Sequence, residues 1–103
     1  MEDMMQIAMG LIMHAGNARS LAMEAIQAAK AGQIDQADEL IAKSDEALLE
    51  AHQVQTNLLV KEARGEKLEI GILLIHSQDH LMTSITVKDL AKEFIDLYRE
   101  KKS

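Results

Sequence analysis

His76, Asp79 and His80 fall within about one helical turn of each other in the run Leu73-Leu74-Ile75-His76-Ser77-Gln78-Asp79-His80-Leu81-Met82-Thr83. On a helix, His76 and His80 at i and i+4 share a face, and their imidazole nitrogens can accept a group, pass a proton or bind a metal. Asp79 falls on a neighbouring stripe with Ile72, Ile75 and Met82. Burying an ionised carboxylate alone there is costly, so it must be protonated, hydrogen-bonded, metal-bound or gathered with copies of itself around a symmetry axis. On residue types alone, His76 also reads as a hydrogen-bonded core or interface histidine, and Asp79 as hydrogen-bonded to a neighbouring helix. The His76/His80 spacing is that of helical zinc ligands, but Ser77 stands where a His-Glu-x-x-His motif carries its general base, which argues against zinc hydrolysis. An oxygen ligand such as Asp79 suits magnesium or calcium better than zinc.

These residues need a helix to position them, and the composition supplies one. The chain has 103 residues, a length for one domain, with no Pro and abundant Ala, Leu, Glu and Lys. That points to an all-α protein. Gly32 after Lys30-Ala31 and Gly65 after Ala63-Arg64 have the pattern of helix ends closed by a left-handed residue. They divide the chain into three helices, at about 3–31, 34–64 and 68–101. Short connections make neighbours antiparallel, an up-down-up three-helix bundle.

Helix 1 carries Ala8, Leu11, Ala15, Ala18, Ala22, Ala25 and Ala29 on one stripe, which lets another helix come close. Helix 2 places Ile34, Ala37, Ile41, Leu48, Ala51 and Leu58 near heptad spacing, interrupted by Ser44 and Gln55. Helix 3 is broader: Ile70 to Ile75 is apolar on nearly every side, and Leu81, Met82, Ile85, Leu90, Phe94, Ile95 and Leu97 continue the surface. Such a helix is expected to pack against other subunits as well as its own. Arg99, Lys101 and Lys102 complement its C-terminal dipole. The methionines at the start of helix 1 read as core filler, and His14 and His52 as packing or surface residues. Lys61-Glu62 and Glu66-Lys67 read as solvated faces.

A formal net charge of -6, with Phe94 and Tyr98 as the only aromatics, argues against nucleic acid, which demands basic surface and stacking platforms. Without cysteine there is no thiolate chemistry, disulfide or thiolate-bound zinc, as suits a reducing cytosol. The start Met1-Glu2-Asp3-Met4-Met5 is acidic, and no apolar run approaches the roughly 20 residues of a membrane span. The expectation is a cytoplasmic protein with no signal peptide and no direct membrane insertion.

The stretch LLIHSQDHLMTS, Leu73 to Ser84, resembles the phosphorylation-site segment of the lactose/cellobiose (N,N'-diacetylchitobiose) class of enzyme IIA in the bacterial phosphoenolpyruvate-dependent sugar phosphotransferase system. MGLIMHAGNARSLA, Met9 to Ala22, and EALLEAHQVQTNLL, Glu46 to Leu59, resemble the helix 1 and helix 2 patterns of that family. The resemblance implies a homotrimer, a nine-helix bundle. It implies that His76 accepts a phosphoryl group from the phosphocarrier protein HPr, as a tele-phosphohistidine. His76 then passes the group to a cysteine of the IIB component, serving a membrane IIC component indirectly. Asp79 corresponds to the aspartate that meets its symmetry mates around one divalent metal per trimer, usually magnesium. Gln78 and His80 take supporting positions as donors near the phosphoryl group. His52 and Gln55 match the helix 2 pattern without an assigned role.

A different class of reading also exists. The hairpin AKAGQIDQADELIAKSDEALLEAH has the Ala/Leu alternation of tetratricopeptide-like or microtubule-interacting-and-transport hairpins, which would make the chain a non-catalytic interaction module. Only one such unit is present, whereas stacked repeats need about three, and the His76–His80 run is then left without a purpose.

Overall fold

The computed structural model describes residues 3–102, apart from the Lys102 side chain; Met1 and Glu2, part of the acidic start, lie outside the described residues. Three helices make up the described chain: α1 (Met4–Lys30), α2 (Ile34–Ala63) and α3 (Ile72–Lys102). They form an all-α bundle measuring 53 × 20 × 20 Å. Asp3 caps α1, its carboxylate accepting from the Met5 amide. Gly32 and Gly65 have φ of 84° and 88°, the left-handed region that only glycine enters at little cost. Each closes its helix with the paired bonds of a Schellman turn: Gln33 N–H to Ala28 C=O and Gly32 N–H to Ala29 C=O, then Glu66 N–H to Lys61 C=O and Gly65 N–H to Glu62 C=O.

The third helix starts later than its pattern suggests. Residues 66–71 are not helical, and α3 begins at Ile72 rather than near Leu68, with the Gly71 carbonyl accepting its first bond from Ile75. Leu68 is instead a half-buried anchor packed against the core. Gly71 adds a reason, since glycine costs about 1 kcal/mol relative to alanine inside a helix. Ile70 is therefore an exposed residue of the connection.

The small-residue stripe of α1 faces inward throughout, and α1 packs along both other helices, whereas α2 and α3 touch each other less. Two core clusters result. One joins Leu11, Ala15 and Ala18 to Leu48, Ala51, Leu58, Leu74 and Leu81; the other joins Ala22, Ala25, Ala28 and Ala29 to Ala37, Ile41, Ala91 and Ile95. Ser44 and Ser84 are fully buried and fall between the two clusters along their helices. Ser44 donates to the Ala18 carbonyl at 2.7 Å, tying α2 to α1, so what reads in sequence as a break in the helix 2 seam is a satisfied close contact. On the outside, Asp45 of α2 pairs with Lys88 and Lys92 of α3, and Asp38 with Arg99.

The methionines depart from expectation. Met4 packs against the core, but Met5, Met9 and Met13 are exposed. Ala8, Leu11 and Ala15 occupy the inward face, and the four-residue spacing of the three methionines puts them on the other side. The α3 stripe Ile72, Ile75 and Met82, with Leu90, Phe94 and Leu97 beyond it, is exposed on the single chain; Ile72 reaches 86%.

Candidate functional site

The His76–His80 segment lies in the first half of α3, past the Gly71 start, where α3 runs against the N-terminal half of α1. Buried Leu74, Ser77 and Leu81 pin the inward face of this turn, and the Ser77 hydroxyl is satisfied by the Leu74 carbonyl at 2.6 Å. That inward packing sends His76 and Asp79 to solvent, while Gln78 and His80 are half-buried at the edges. The two imidazoles stack, with ring centroids 5.7 Å apart and planes inclined by 28°. His76 is thus an accessible imidazole with a second imidazole at its side.

Gln78 is oriented from another helix. Gln55 of α2 donates to Gln78 Oε1 at 2.8 Å and reaches the Met82 sulfur at 3.7 Å. With its oxygen held, Gln78 presents its amide N–H2 as the donating end, directed in part at Ser77 Oγ, 3.5 Å away. Gln55, which has no assigned role in the sequence pattern, fixes which way this donor points.

His80 is placed by α1. Its Nε2 occupies the space beside Gly16, where an added Cβ would come within 3.3 Å. Burial, then the Arg19 guanidinium and the His76 imidazole, hold the His80 imidazole below the ordinary histidine range, and the Asp79 carboxylate pulls the other way. Gly16 beside the His80 ring, and Arg19 whose charge reaches it, are neighbours that the histidine spacing does not reveal. The only hint is a glycine inside an alanine-rich helix face, followed one turn later by an arginine.

Asp79 belongs to the exposed apolar stripe, between Ile75 and Met82. It is not buried by its own chain; its surroundings depend on what covers that stripe. His14 and His52 are exposed. His14 Nδ1 lies 3.8 Å from a Glu50 carboxylate oxygen, and His52 lines a surface groove with Leu48, Leu49, Ile85 and Lys88. Neither joins the His76 cluster.

The family model described as "PTS system, Lactose/Cellobiose specific IIA subunit" matches residues 6–99. The chain belongs to that family. It is a phosphotransferase component, an enzyme IIA, and the hairpin-module reading gives way. The solved cellobiose-specific enzyme IIA from Bacillus anthracis is 57% identical with a TM-score of 0.93, over 99% of this chain and 94% of that one. The lichenan-specific phosphotransferase enzyme IIA component of Bacillus subtilis is 50% identical over 99 residues, 96% of this chain and 90% of the relative. The IIA(chitobiose) of the Escherichia coli N,N'-diacetylchitobiose branch, solved in complex with HPr, is 40% identical, with a TM-score of 0.87 over 100% of both chains. Among the described residues, no helix is long and apolar enough to cross a membrane.

Proposed function

We propose that this enzyme IIA carries a phosphoryl group on His76, taking it from phospho-HPr and passing it to a cysteine of its cognate IIB. The relay serves uptake and phosphorylation of a disaccharide of the cellobiose, chitobiose or lactose class by a membrane IIC partner. The carrying observation is the exposed His76 imidazole stacked beside half-buried His80. The solved complex of IIA(chitobiose) with HPr supports the choice of donor.

In the first transfer, His76 Nε2 attacks phosphorus. A new N–P bond forms while the bond to the HPr donor atom breaks, and that atom keeps the electron pair. In the second, an IIB thiolate attacks the same phosphorus, an S–P bond forms, and the His76 imidazole leaves. Both steps need donors for three charged oxygens; Gln78, held by Gln55, and His80 stand closest to that task. The chain works in the cytoplasm, where the donor and the IIB thiol meet it.

The assembly is a homotrimer built on the α3 stripe, because that much apolar surface on one helix calls for a partner. Asp79 lies within the stripe, so copies of it come together there. A carboxylate oxygen fits magnesium, and among the described residues no group of three His, Asp or Glu side chains within one chain is placed to hold a metal ion. An ion would therefore be held by Asp79 from each subunit, where it supplies positive charge to offset the gathered carboxylates.

Incubation with phosphoenolpyruvate, HPr and its phosphorylating enzyme adds one acid-labile phosphate to the wild-type chain and none to His76→Ala. An unmodified wild-type mass refutes the reading.

A further inference from the structure

The half of the site contributed by α1 consists of a space. His80 Nε2 sits against Gly16 so closely that a Cβ there would meet it at 3.3 Å, forcing the ring to give by a few tenths of an ångström. The same ring stacks on His76, and the His80 backbone is held by the Ser84 hydroxyl, which donates to its carbonyl at 2.7 Å. Crowding from α1 is therefore absorbed by the imidazole, and it reaches the group beside which the reaction occurs. Gly10, in the same helix, meets nothing within 4 Å. Glycine inside a helix costs about 1 kcal/mol relative to alanine, so both positions carry that cost, and only at Gly16 does a side chain use the vacated space.

We propose that Gly16 is a positioning residue for phosphoryl transfer at His76, acting through His80, whose ring it admits to its place beside the acceptor. The inference rests on His76 being the acceptor. It differs from a packing role in one respect: the effect of filling the space depends on His80 being there to be displaced.

The test compares Gly16→Ala and Gly16→Val with Gly10→Ala, each in the wild-type and in the His80→Ala background, reading kcat and KM for transfer from phospho-HPr. A misplacement of about 1 Å can cost about 10²-fold in rate. Gly16→Ala is therefore expected to lower kcat about three- to tenfold and Gly16→Val up to about a hundredfold, with KM nearly unchanged. Gly10→Ala leaves both constants alone. In the His80→Ala background the Gly16 substitutions lose their effect. Imidazole NMR signals of His76 and His80 move in Gly16→Ala and stay in Gly10→Ala, and the gain in helix propensity keeps Gly16→Ala folded even where Gly16→Val is not. An unaltered kcat with unmoved imidazole signals in Gly16→Ala overturns the proposal, as does an equal loss with His80 absent. A wild-type chain that takes no phosphate is a different failure: it removes the His76 reading, and this inference with it.

Discussion

Arg19 reaches His80 through its charge. It is exposed, and a phosphoryl group on His76 would place negative charge beside the same pair. A cation there stabilises the charge that develops during transfer. Arg19→Gln is expected to lower kcat for transfer from phospho-HPr by about tenfold, with Arg19→Lys closer to wild type because it keeps the charge. Since the guanidinium is exposed, salt should weaken its influence: the Debye length falls from about 10 Å at 0.1 M to about 3 Å at 1 M. The gap between wild type and Arg19→Gln should narrow over that range in rapid-quench measurements. A gap that salt does not touch would assign Arg19 to packing.

Between elements, the sparser α2–α3 seam carries ion pairs on its outer edge, with Asp45 accepting from Lys88 at 3.2 Å and Lys92 at 2.9 Å. Partial burial pushes the Asp45 carboxyl up, but the hydrogen bonds of Lys92 and Lys88 outweigh it and hold the carboxyl below its ordinary value of 3.8. Folding therefore favours the ionised form. Its contribution is fully present above the unfolded-state pKa and is lost as pH falls through the lower folded-state value. Because the pair is partly exposed and screened, Asp45→Asn should cost only about 0.5 kcal/mol at pH 7, a difference that urea titrations should find shrinking below pH 3.8. How far the sequence reveals these arrangements follows from the range of each interaction. The ends of α1 and α2 are legible because Gly32 and Gly65 act locally, and the His76–His80 pairing because it lies within one helix. The start of α3 is not, since Leu68 and Ile70 continue an apolar pattern and only packing shows Leu68 to be an anchor. Gln55 on Gln78 and Gly16 against His80 depend on the rotation and register of two helices, which no spacing within one helix encodes.

At the scale of the whole molecule, a stripe with Ile72, Ile75, Met82, Leu90, Phe94 and Leu97 exposed is more apolar surface than one thin bundle can leave in water. The proposed three-fold assembly through α3 would cover it and make Asp79 the one charged point in the N-terminal half of the stripe, where three like charges would have to be neutralised or removed. Two substitutions separate the apolar contribution from the ionic one. Under that proposal Phe94→Asp, far along α3 from His76, should dissociate the trimer in sedimentation experiments, because it would place three new carboxylates in the interface with no ion assigned to them. Asp79→Leu should do the opposite: the trimer persists or strengthens, and it no longer responds to a chelator, since an apolar side chain of similar size avoids the desolvation of three carboxylates. If the wild-type chain sediments as a monomer with or without chelator, the stripe has another partner. If Asp79→Leu falls apart, the ion rather than the apolar stripe is what holds three copies together.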